Sequence, residues 1–222
     1  MPNSVRHVFL DRAQKANALD SAALENLKTE FERLRDDPEL RVVVLAGKGK
    51  TFCGGADIAE LKSLDASTGA RFVERIHDVC KAIRDLPVPV IAQLHGAVIG
   101  AGLEIAAACD LRVAAEGTKF AMPEVKLGIP SVVEAALLPR LMGCGRAAWL
   151  VLTGEPIDAR RALEWGLIEE IGDGSGLVQK LLAADRAALR MQKQLLQLWD
   201  EASLATCVAA SIERFAQNLA KR

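Results

Sequence analysis

The chain has 222 residues, half of them apolar, with 28 Lys and Arg against 29 Asp and Glu and a formal charge of −1; this is enough apolar material for one large domain or two small ones. With no basic run, six Phe, three Trp and no Tyr, nucleic-acid binding has little support. The five cysteines, at 53, 80, 109, 144 and 207, are odd in number and far apart, which argues against a disulfide framework or a CxxC site and fits a reduced cytosol.

In chain order, VRHVFLD (5–11) reads as a weak strand and RAQKANAL (12–19) as a polar loop leading to Asp20, a good N-cap for a helix over 21–36. Leu24, Leu27, Phe31 and Leu34 give that helix one core face. RVVVLA (41–46) is the clearest buried strand, followed by Gly47, Gly49, Gly54 and Gly55 around Phe52 and Cys53. Helical patterns are expected over 57–64 and about 68–86, the latter with Phe72, Ile76, Val79, Ile83 and Leu86 on one face. The 88–94 run, behind Pro-Val-Pro, suits a strand covered on both faces, and Gly96, Gly100 and Gly102 turn it into a nearly wholly apolar helix over 103–109. Short strands follow at 111–115 and 119–122, then Pro123-Glu124. From Ala135 the pattern is mostly helical: 145–153, 158–165 between an Asp158 N-cap and a Gly166 C-cap, 177–198 and 203–220, with a possible strand at 167–171. The order implies an α/β core of βαβ units and a helical C-terminal part packed on it or on a neighbouring subunit. No apolar stretch is long and unbroken enough to span a membrane and no signal core opens the chain, so a soluble, cytoplasmic protein is expected.

Several signatures lack parts. Ile105 stands where a dinucleotide fingerprint needs its third glycine, and Val44 where a phosphate-binding loop ending in Gly49-Lys50-Thr51 would begin. There is no GxSxG, no HExxH and only three histidines. Cys53 lies in a strand-to-helix loop but has no histidine evidently placed to activate it, so a packing role is favoured.

What survives is a pair of glycine-rich junctions, around Ala56 and Ala101, and two carboxylates, Glu104 and Glu124. Free amides at two helix starts aimed at one point would bind a developing oxyanion, though spacing does not show that they converge. Glu104, among Leu, Ile and Ala, is costly to bury ionised and reads either as retained for chemistry or as a cap on helix amides. Two acids in an apolar pocket would have their pKa values pushed apart, which suits addition or removal of water or a proton shift beside a carbonyl. For Glu124, spacing alone favours an ordinary exposed acid.

These segments resemble the crotonase superfamily of enoyl-CoA hydratases and isomerases over residues 12–19, 41–61, 87–115, 118–130 and 137–171, with FCGGADI and GAGLEIAAACD as the most specific motifs. The resemblance implies a ββα superhelical spiral over 1–171, a C-terminal helical trimerisation region over 172–222, and a homotrimer or homohexamer. It implies acyl-CoA metabolism, including that of fatty acids, with no metal, no redox cofactor, and coenzyme A present only as part of the substrate. The oxyanion amides match Ala56 and Ala101, and the catalytic acids match Glu104, which would deprotonate the attacking water, and Glu124, which would protonate the α-carbon. Coenzyme A would lie along Ala56, Asp57 and Ile58 and along Lys15, Ala16 and Ala18, with Lys15 a phosphate partner. The activity implied is addition of water to a 2-enoyl-CoA, or its reverse; the alternatives are double-bond isomerisation or thioester hydrolysis on the same fold, or acyl-CoA binding without catalysis.

The chain departs from the family pattern after the second acid. GIPSVVEAALLPRL replaces a glycine-rich GxxPGxGGTQRL, and Glu134 is an extra carboxylate there, either a third pocket acid or, the favoured reading, a surface residue. IGDGSGLVQKLLAA also compresses what is usually a longer helical passage.

Overall fold

The computed structural model describes residues 4–220, so the outermost residues of the two expected units, 1–3 and 221–222, lie outside it. β1 (Val5–Leu10) leads through a 3-10 turn (Ala13–Lys15) to α1 (Ser21–Arg35), where Asp20 accepts a hydrogen bond from the Ala23 amide as the expected N-cap. β2 (Val42–Gly47) is buried along nearly its whole length. The helix expected over 57–64 is shorter, α2 (Ile58–Leu61), because Asp65 caps α3 (Ala66–Arg84) through a capping box with Thr68 and so begins a separate helix. β3 (Val90–Leu94), β4 (Ala97–Ile99) and α4 (Ala101–Ala108) follow, and every residue of α4 is buried.

After β5 (Leu111–Ala114) and β6 (Lys119–Ala121) the chain makes 3-10 turns at Glu124–Leu127 and Val133–Leu137. Next come α5 (Leu138–Met142), α6 (Cys144–Thr153), β7 (Ile157–Asp158), α7 (Ala159–Trp165) and β8 (Glu170–Ile171). β4 and β7 are strands the sequence pattern does not announce, being three and two residues long. The single helix expected over 177–198 is two, α8 (Ser175–Ala183) and α9 (Arg186–Glu201), because Asp185 takes an extended conformation and caps α9 through the Ala188 amide. α10 (Leu204–Leu219) ends the described chain.

The strands form two sheets, β1-β2-β3-β5-β8, all parallel, and β4-β6-β7. Successive units place one strand in the first sheet and the next in the second before a helix returns: β3, β4, α4 is the clearest turn. β2, the Cys53 bridge to Val98, and α3 make the turn before it. This is the expected ββα spiral.

Alternation along β2 sends Val43 and Leu45 into the main core with Phe31, Phe72 and Phe120, and Val42 and Val44 to the opposite face, where Leu177, Val178, Leu181 and Leu182 of α8 cover them. α9 is tied down by Lys193, which is 3% exposed and sits 2.5 Å from Asp110; the same carboxylate accepts from the Val90 amide. The apolar stripe of α10 has no such cover: Leu204, Val208, Ile212, Phe215 and Leu219 are all exposed. Among the described residues no helix is long and apolar enough to cross a membrane.

Candidate active site

The two glycine-rich junctions lie side by side. Cys53 pairs in parallel with Val98, its amide donating to Ala97 O at 3.1 Å and its carbonyl accepting from the Ile99 amide at 3.0 Å. The backbones are still adjacent at Gly55, next to Ala56, where a Cβ would lie 3.1 Å from Ile99 O. Two further approaches demand glycine. A Cβ on Gly102 would overlap Cys53, and one on Gly100, whose φ is +51°, would collide with Glu124 Oε1.

Ala101 opens α4, where Leu103 and Glu104 turn their amides back onto Gly100 O at 2.7 and 3.0 Å. Neither the Ala101 amide nor the Ala56 amide has an acceptor among the described residues. The flanking groups around Ala56 are paired: Leu19 donates to Gly55 O, and Asp57 donates to Leu19 O, each at 2.8 Å. Two unpaired donors on adjoining junctions, one of them at a helix start, can stabilise one developing negative charge if they converge.

Both carboxylates lie at the start of α4. Glu104, 3% exposed in the first turn of α4, accepts from the Ala135 amide at 3.3 Å. Burial, with the charge of Glu124 second, pushes its carboxyl from the ordinary 4.5 up to about 8. Glu124 rests against Gly100 and accepts from Ser131 Oγ at 3.0 Å; burial raises its pKa also, so it is not the exposed acid that spacing favours. Two acids with raised pKa values beside unpaired amides can hold and move a proton.

The structure also corrects the surface reading of Glu134, which is 5% exposed. Its Oε1 lies 2.7 Å from His77 Nδ1 of α3. The turn that carries it holds Val133 at φ +39°, a region β-branched residues rarely enter and one that costs about 1–3 kcal/mol. Tertiary packing imposes that geometry, pressing 133–137 against α3 and α4.

The residues expected to hold coenzyme A form one strip. Ala16 O accepts from the Gly54 amide at 2.8 Å, and the pairing of Leu19 with Ala56 runs 16–19 alongside 54–57. Ala56, Asp57 and Ala18 are half-buried, whereas Lys15, Ala16 and Ile58 are exposed. Asp57 caps α2 and meets Arg12 at 3.3 Å. Asn17 organises the strip: it is 2% exposed at φ +54°, accepts from the Arg12 amide, and donates to Lys48 O and Thr51 O at 2.9 and 2.6 Å. Sequence reasoning passes over Asn17, although an Asn in a polar loop is a residue suited to positive φ. Cys53 is fully buried, its thiol pushed up to about 12 by burial, and it packs against Gly102. That is the packing role the sequence favours.

Comparison with known proteins follows the same lines. A family model described as enoyl-CoA hydratase/isomerase matches residues 1–220. An enoyl-CoA isomerase/hydratase of Mycosarcoma maydis is 33% identical over 218 residues, covering 90% of this chain and 80% of that protein. A short-chain-enoyl-CoA hydratase of Clostridium acetobutylicum is 32% identical over 219 residues, covering 95% and 84%. The crystal structure of an enoyl-CoA hydratase from Mycobacterium smegmatis superposes with a TM-score of 0.92 at 32% identity, covering 96% of this chain and 86% of that one.

Proposed function

Because the chain belongs to the crotonase superfamily of enoyl-CoA hydratases and isomerases, we propose that it is an enzyme that adds water across the 2,3 double bond of an enoyl-CoA thioester, or removes it. The observation that carries this reading is a pair of unpaired amides, Ala56 and Ala101, on adjoining junctions, with the buried Glu104 and the half-buried Glu124 at the second of them.

In this mechanism the thioester oxygen sits on the two amides, which stabilise the enolate formed as the β-carbon is attacked. Glu104 takes a proton from the attacking water in its ionised form, the minor form at neutral pH for a carboxyl pushed up to about 8 and the growing one as pH rises. Glu124, as carboxylic acid, gives one to the α-carbon. The strip of Lys15, Ala16 and Ala18 with Ala56, Asp57 and Ile58 would bind the coenzyme A portion, and neither metal nor redox cofactor takes part. The exposed stripe on α10 supports assembly into a homotrimer or homohexamer, and we place the protein in the cytoplasm.

Purified protein should hydrate crotonyl-CoA, and Glu104→Gln should lower kcat by about 10²–10⁴ while acyl-CoA binding persists. Unchanged turnover in that variant would remove Glu104 from the mechanism. Glu134, buried beside the site in the segment that departs from the family pattern, favours a second reading in which the same scaffold isomerises or hydrolyses its acyl-CoA. Product analysis in ¹⁸O-labelled water separates the three reactions, and acyl-CoA binding without any turnover would leave only a binding protein.

A further inference from the structure

Hydration leaves Glu104 protonated, and the next cycle needs its ionised form. The water O–H bond breaks, its oxygen bonds to the β-carbon and its proton goes to Glu104, while Glu124 loses a proton to the α-carbon. The products are 3-hydroxyacyl-CoA, a protonated Glu104 and an ionised Glu124. One proton must leave the first acid and one must reach the second. Glu124 adjoins the exposed segment 125–129, so its supply is short. Glu104 is 3% exposed in a helix buried on every side and has no comparable path of its own.

The structure places a third acid next to it. Ala135, whose amide binds Glu104 Oε1, is the neighbour of Glu134 in the same turn. Glu134 is buried, and its Oε2 has no hydrogen-bond partner among the described residues, which leaves that oxygen free to receive a proton. Its Oε1 meets His77 at 2.7 Å, and the His77 side chain is 51% exposed. His77 lines a polar cleft of about 320 Å³ between α3 and α9, with Lys81, Arg84, Asp85, Gln197 and Glu201. The charges there are engaged with each other, Lys81 with Asp85 at 2.5 Å and Arg84 with Glu201 at 2.9 Å, and none is bonded to the imidazole. The other titratable group facing Glu134 is the buried Cys80 thiol, which burial holds protonated.

We propose that Glu134 and His77 form a proton outlet, carrying the proton that Glu104 takes from water to the polar cleft between α3 and α9 and so resetting the site between turnovers. Glu134 and His77 are positioning and relay residues; neither touches substrate. The proposal rests on the hydratase reading, and it gives the buried third carboxylate a use. An imidazole with one nitrogen on a buried acid and the rest of its ring half in solvent can take a proton at one nitrogen and release one from the other.

The test uses the full chain as wild type, His77→Ala and Glu134→Gln, with crotonyl-CoA in single-turnover and steady-state assays. The outlet requires single-turnover rates within about threefold of wild type, a kcat about tenfold lower or more, and recovery of the His77→Ala kcat by added imidazole. Wild-type kcat in both variants would overturn it. Equal loss in both assays without imidazole recovery would overturn it too, leaving a purely structural clasp. A second readout needs no turnover: carboxyl titration of the unliganded protein by ¹³C NMR should show the Glu104 midpoint fall in Glu134→Gln, because a nearby like charge is lost. An unmoved midpoint would overturn the link between the two acids. A wild-type protein inert toward every enoyl-CoA would instead overturn the hydratase reading, and the titration would still decide whether Glu134 faces Glu104.

Discussion

At the scale of single residues, Glu104 illustrates how a helix of Ala, Leu and Ile can hold one carboxylate at a stability cost. Its pKa of about 8 lies above its ordinary 4.5, so the folded state binds a proton that the unfolded chain releases between those values. Stability from this group is therefore complete below about 4.5 and is lost as pH rises through about 8. Urea unfolding of wild type and Glu104→Gln should accordingly show the variant gaining on wild type by a few kcal/mol as pH rises from 4.5 to 9, with the gap closing in acid; a pH-independent difference would contradict the burial argument. Glu104 is legible in sequence because its neighbours are uniformly apolar. Glu134 is not, because its own segment reads as a mixed helix turn, and only the docking of 133–137 on α3 puts it beside His77.

At the scale of elements, caps explain most of what the sequence pattern misplaces. Asp185 begins a new helix inside what periodicity reads as one segment, and Asp65 starts α3 two residues ahead of its expected beginning, since a carboxylate on the N3 amide outweighs a continuing apolar stripe. The short strands β4 and β7 carry too few residues to show alternation, and they exist because the second sheet pairs them. α9 shows an element held by one buried contact. Lys193→Met should cost about 3–5 kcal/mol by leaving Asp110 without its cation, and Lys193→Met with Asp110→Asn should cost less than the two single changes added. Thermal and chemical denaturation of the three variants measures this; strict additivity would show that the pair does not act as a unit.

At the scale of the whole molecule, the spiral places every chemically important group at consecutive junctions between its two sheets. The exposed α10 stripe is the surface that assembly would cover, so wild type should sediment as a trimer or hexamer, and Phe215→Glu should shift it toward monomer in analytical ultracentrifugation; a wild-type monomer would leave the stripe unexplained. From sequence alone came the alternation of buried strands and amphipathic helices, the glycines that turn them, and the two acids, because periodicity, left-handed turns and a charge amid apolar neighbours are local properties of the chain. The Cys53–Val98 pairing that brings the two junctions together, the burial that raises both acids, the Asn17 staple and the Glu134–His77 pair were decided only by tertiary structure, because each depends on segments tens of residues apart meeting at a distance that no local pattern encodes.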